Sequence, residues 1–188
     1  GTVPANGTGT WYNQRIALAA AQGMNGNITV SGSEISFTAA DVGDYNVSQI
    51  GHGGSFTQGN HKGDVNVTAT SGMIQFQAGI QGVFNNDSRG NVQLGHGGYD
   101  ADGSHSGDIM VNAGNTGGVG VHFLAGDSED NYAQLGHGGR SARSTLAGNP
   151  IQGFSGDISV MTTGSVHFIG GTMSGAVSYT HLTLPTRS

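Results

Sequence analysis

Gln49-Ile50-Gly51-His52-Gly53-Gly54 returns as Gln93-Leu94-Gly95-His96-Gly97-Gly98 and again as Gln134-Leu135-Gly136-His137-Gly138-Gly139. The three histidines lie 44 and 41 residues apart, so a repeat of about 41–44 residues is the unit of the fold. Two further signatures travel with the hexapeptide. Gly-Asp/Asn-Ile/Val-x-Val occurs at Gly26–Val30, Gly63–Val67, Gly107–Val111 and Gly156–Val160. After each comes an apolar-x-Phe step: Ile35-Ser36-Phe37, Ile74-Gln75-Phe76, Val121-His122-Phe123 and Val166-His167-Phe168.

Apolar and polar residues alternate through these segments, the period of a half-buried strand, and the pattern predicts three short strands per unit. The alternation points Val65, Val67, Ile74, Phe76 and Leu94 inward, with Ile109, Val111, Val121, Phe123 and Leu135 in the next unit. It points Asn66, Gln75 and Gln93 outward. Strands this short cannot bury a face alone, but stacked coils can. The expected fold is therefore all-β, a parallel β-helix or β-solenoid, with Phe37, Phe76, Phe123 and Phe168 as an internal aromatic stack. One coil per unit and two coils per unit both satisfy the spacing.

Composition narrows the function classes. Glycine is 36 of 188 residues, about 19 % against a usual 7 % or so, which excludes an ordinary helical domain. There is no cysteine, hence no disulfide or thiolate metal site. A net charge of −6 with only 6 Lys and Arg argues against nucleic acid as partner. No apolar run approaches the roughly 18 residues of a membrane span, so no membrane insertion of this segment is expected. Residues 1–23, with Trp11 and Ala19-Ala20-Ala21, read as a degenerate N-terminal half-repeat, and 24–176 as the solenoid domain. Val177 to Thr186 resembles a reading frame through the transposase adapter of shotgun DNA sequencing, so 177–188 is expected to be an unstructured artefact. The chain is expected to continue into a longer one.

The Gln-Ile/Leu-Gly-His-Gly-Gly repeat with its Gly-Asp-Ile-x-Val and Val-His-Phe segments resembles the stalk repeats of filamentous-haemagglutinin-like exoproteins and autotransporter passengers, over roughly residues 24–172. The resemblance implies a right-handed β-helix, secreted to the bacterial cell surface, serving as a non-enzymatic adhesin stalk. Its implied partner is a host-cell or matrix protein or a carbohydrate. It implies no catalytic residues; no cofactor is expected, with a divalent metal or calcium as the alternative.

Three residue sets carry chemistry. Stacking in register would bring His52, His96 and His137 into a column. There each imidazole either hydrogen-bonds the next coil's backbone or shares a divalent metal, with His61 and His105 nine residues further on as convergent ligands. The backbone role is favoured, because stacked side chains run parallel whereas ligation needs convergence. Asn27, Asp64, Asp108 and Asp157 form a second column, read as a ladder of turn caps with a calcium line as the rival. The loops after each hexapeptide, 55–62, 99–106 and 140–155, differ between units and hold the candidate ligand contacts Phe56, Tyr99, Asp100, Asp102, Arg140 and Arg143. Asp100-Ala101-Asp102-Gly103 also has the start of a calcium loop. His122 and His167 read as surface residues. A polysaccharide-cleaving β-helix is the least favoured reading, since it needs grouped carboxylates or a base where this chain has a ladder.

Overall fold

A computed structural model describes residues 23–40, 46–79, 90–114, 117–127, 131–143 and 153–171. The expectations for residues 1–22, for the adapter-like tail and for the middle of the third loop lie outside the described residues. All regular structure among the described residues is β-strand. The first coil comprises β1 (Ile28–Gly32), β2 (Ile35–Thr38), β3 (Val47–Ile50) and β4 (His61–Lys62). The second comprises β5 (Val65–Ala69), β6 (Ile74–Gln77), β7 (Asn91–Leu94) and β8 (His105–Ser106). The third comprises β9 (Ile109–Ala113), β10 (Val119–Leu124), β11 (Ala133–Leu135) and β12 (Phe154–Ser155), and β13 (Ile158–Thr162) and β14 (Ser165–Ile169) open a fourth.

These strands stack into four parallel sheets, β1-β5-β9-β13, β2-β6-β10-β14, β3-β7-β11 and β4-β8-β12. The architecture is the expected parallel β-solenoid. Ile28 pairs with Val65, Val65 with Ile109 and Ile109 with Ile158, so each unit is one coil. One coil per unit places equivalent residues at the strand spacing of about 4.8 Å. Each coil has four walls where three strands were expected. The extra wall is a two-residue strand at the His61, His105 and Phe154 positions, too short for any alternation to register.

The inward set is buried as the alternation requires: Val65, Val67, Ile74, Phe76, Leu94, Val111, Val121, Phe123 and Leu135 have no exposed surface, and Ile109 has almost none. Phe37, Phe76, Phe123 and Phe168 stack with centroid separations of 5.4, 4.8 and 5.1 Å. One facing assignment is overturned. Gln93 was expected to point outward, but it is fully buried, and Gln134 is nearly so. The reason is chemical: the side-chain amide reaches back into the bend that follows the strand, where it adds a second donor to backbone carbonyls such as those of His96 and Gly138, which already accept a backbone N–H from a neighbouring coil.

The glycines of the hexapeptide are demanded by that bend. Gly95 has φ +140°, and a Cβ there would collide with the carbonyl oxygen of Gly136 in the next coil. Only glycine supplies both the dihedral and the close coil-to-coil approach.

Candidate functional site

The histidine column forms. His52, His96 and His137 stack with centroids 4.9 Å apart at each step and planes within 13° of parallel. The backbone N–H of His52 donates to Nδ1 of His96 at 2.9 Å, and that of His96 to Nδ1 of His137 at 3.0 Å. An Nδ1 that accepts carries no proton, so the proton of the neutral ring sits on Nε2. Nε2 then donates to a glycine carbonyl: Gly26 for His52 at 2.8 Å, Gly63 for His96 at 2.6 Å and Gly107 for His137 at 2.8 Å. His96 and His137 thus have both nitrogens committed, joining the hexapeptide bend to the Gly-Asp/Asn corner. The backbone role expected for these rings is what the geometry shows.

The second set does not converge on the first as ligands would. His61 and His105 were assigned to a loop, but they occupy β4 and β8 and stack on each other at 5.1 Å. Phe154 closes the same column, 5.1 Å above His105 and 2° from parallel. His61 accepts the Met24 N–H at Nδ1, while both ring nitrogens of His105 lie buried without a hydrogen-bond partner. Phenylalanine in the third unit does the same packing, so the position needs a flat ring, and only His61 uses a ring nitrogen there for a hydrogen bond. Among the described residues no group of three or more His, Asp or Glu is placed to hold a metal ion.

Burial governs the protonation of these rings. It pushes His61 down to about 4, helped by the positive charge His52 would carry. It pushes His96 down to about 4 against the opposing hydrogen bond to the Gly63 carbonyl, with His137, His52 and His61 adding to the fall. His105 falls furthest, to about 3, through burial and then through His61, His137 and His96. His137 is lowered by burial, opposed by the Gly107 carbonyl and by Asp108. An imidazolium loses its hydration here and faces other imidazoles, so the neutral form is held.

The Asp column is a capping ladder. Asn27 Oδ1 accepts from the N–H of Asp64 at 2.9 Å, Asp64 Oδ1 from Asp108 at 3.0 Å, and Asp108 Oδ1 from Asp157 at 2.9 Å. Asparagine serves at the head because only an acceptor oxygen is needed, which is the turn-cap reading rather than a calcium line. A glutamine ladder that sequence reasoning placed on the wrong face runs beside it. Nε2 of Gln93 lies 3.1, 3.2 and 3.0 Å from the carbonyls of His96, Gly136 and Gly138. Gln49 makes the equivalent cross-coil bonds to Gly95 and Gly97, whereas Gln134 bonds Gly136 and His137 of its own bend. The signal was available: glutamine opens all three hexapeptides, whereas the outward Ser36, Gln75 and His122 row varies.

The loop residues meet one another across coils. Arg143 Nε donates to Asp102 at 3.2 Å and its NH2 group lies 3.5 Å from Asp100. The positive charge at the calcium-loop sequence is therefore the chain's own guanidinium. Arg140 donates to the Tyr99 hydroxyl at 3.3 Å and lies 5.5 Å over its ring, and Phe56 packs edge-on against Tyr99 at 5.3 Å. Phe56, Asp100 and Ser141 share a left-handed backbone with φ of 58°, 51° and 59°, so the three bends are one conformation built from three sequences. A cleft of about 450 Å³ opens beside them, lined by Tyr132, Gln134, His137, Arg140 and Phe154 among others.

No family model, curated protein or solved structure matches the chain.

Proposed function

We propose that the chain is a structural stalk segment of a secreted bacterial surface adhesin, non-enzymatic, holding binding loops or a tip away from the cell. The observation that supports this reading is where the polar side chains go. The His, Gln and Asp/Asn columns are spent on coil-to-coil hydrogen bonds, and the loop charges on ion pairs between coils. Such a molecule resists bending and unwinding along its axis, because each added coil extends the backbone ladder, the aromatic stack and three side-chain ladders together. The loops, whose residues change from unit to unit on one bend conformation, are the variable surface of an otherwise repeated rod.

Stretching the chain by force spectroscopy between residues 23 and 171 tests the mechanical role. Unwinding is expected in steps of one unit, about 150 Å of chain for 44 residues. Extension at negligible force, without steps, would remove the stalk reading. In parallel, the chain is incubated with uronate-containing polysaccharides. Release of new reducing ends, lost when Asp64, Asp108 and Asp157 are changed to Asn, would replace it with a sugar-cleaving enzyme.

A further inference from the structure

The cleft of about 450 Å³ in the third coil is lined by residues that the second coil lacks at the same positions: Tyr132 stands where Asn91 does, Arg140 where Tyr99 does and Phe154 where His105 does. Phe154 ends its column. One face lies on His105 at 5.1 Å and 2° from parallel, yet 41 % of the residue is exposed, so the uncovered face is the other one. Among the described residues no ring follows it. Both steps below, His61 on His105 and His105 under Phe154, are flat rings 5.1 Å apart and within 9° of parallel. The open face of Phe154 is thus a platform shaped for one more flat ring. Gly138 has no side chain to intrude there, since a Cβ would come within 3.0 Å of the Phe154 ring.

Charge narrows what that ring carries. The described lining holds one fixed charge, the Arg140 guanidinium, and no carboxylate. Tyr99 keeps the guanidinium in place, through its hydroxyl at 3.3 Å and its ring at 5.5 Å, so little ordering is left to be done when an anion arrives. The acidic side chains of the neighbouring loop, Asp100 and Asp102, are paired with Arg143 instead. His137 adds no charge, because burial favours its neutral ring and both nitrogens are bonded within the protein. A guanidinium takes a carboxylate through two parallel N–H donors, and a carboxylate attached to an aromatic ring is flat with it. We propose that this cleft binds a small aromatic carboxylate, with its ring on the open face of Phe154 and its carboxylate on Arg140. The proposal rests on the reading of the loops as the ligand-bearing surface of the rod, and it names what one of them takes.

The test is calorimetric titration of the full chain with indole-3-carboxylate at neutral pH, beside indole-3-carboxamide and glucuronate. One acid per chain is expected, with the amide and the sugar acid each about tenfold weaker or more, since the first lacks the charge and the second the flat aromatic face. Arg140→Gln and Phe154→Leu should each weaken binding about tenfold or more. Phe154→His, which repeats the residue of the two lower steps, should keep it, as should Lys62→Gln, which removes a positive charge from the first coil. Circular dichroism melts check that each variant keeps the fold. No saturable binding at millimolar acid, in a chain that still unwinds in steps of one unit, removes the site and leaves the stalk. Glucuronate or the amide binding as tightly as the aromatic acid, or binding that survives Arg140→Gln or Phe154→Leu, overturns the assignment.

Discussion

Acid should unwind this protein well above the pH at which carboxylates protonate, and the buried imidazoles set how steeply. His61 and His96 hold their folded-state values near 4 and His105 near 3, against 6.5 for a free imidazole. As pH falls below 6.5 the unfolded chain takes up protons that the folded chain refuses, so stability is complete above that value and is lost on the way down to the folded-state values. Near pH 5 the three rings give a difference of nearly three protons, a slope of about 4 kcal/mol per pH unit. Integrated from pH 7 to pH 5 the loss is about 5 kcal/mol, comparable with the whole stability of many domains. Urea unfolding followed by circular dichroism across that range measures it. His105→Phe is the decisive variant, because Phe154 shows that the column accepts phenylalanine and because the ring nitrogens of His105 have no partner to lose. It should cut the pH-dependent loss by about a third and raise stability at pH 7 by about 1–3 kcal/mol, as a buried unsatisfied polar group is removed. A stability that is flat between pH 7 and 5, or a slope untouched by His105→Phe, would refute the burial of these rings as neutral groups.

Three other outcomes follow from the ladders. Phe76→Ala should lower stability by about 3–5 kcal/mol in chemical denaturation, since it opens a void between Phe37 and Phe123 where Phe76 is fully buried. Gln93→Leu should lose at least about 2 kcal/mol by leaving the carbonyls of His96, Gly136 and Gly138 without their side-chain donor, whereas Gln75→Leu on the outer face should stay within about 0.5 kcal/mol. Thermal melts should place Asp108→Asn close to the parent and Asp108→Ala about 1 kcal/mol below it, because the cap on the Asp157 N–H needs an acceptor oxygen and no charge.

What the amino-acid sequence alone determined is the repeat, its length, the parallel coil and the apolar interior. Those follow from periodicities that survive in any register: the hexapeptide spacing, the alternation through Val65, Val67, Ile74 and Phe76, and phenylalanine recurring at one strand position. The backbone role of His52, His96 and His137 and the capping role of Asn27, Asp64, Asp108 and Asp157 were legible too, because stacking makes side chains parallel and an Asn can replace an Asp only where an acceptor suffices. The tertiary structure alone decided the rest. A two-residue wall at His61 and His105 is too short to carry an alternation, so ring stacking and its terminal Phe154 had to be seen. Gln93 obeys the strand alternation in sequence and breaks it in space, because the next bend gathers backbone carbonyls within reach of one folded-back amide. Arg143 meets Asp100 and Asp102 from 43 and 41 residues away, a neighbour relation created by the coil and invisible along the chain. The 82° angle between the His122 and His167 rings belongs to the same class: strand register makes them neighbours, and only side-chain packing turns one ring against the other.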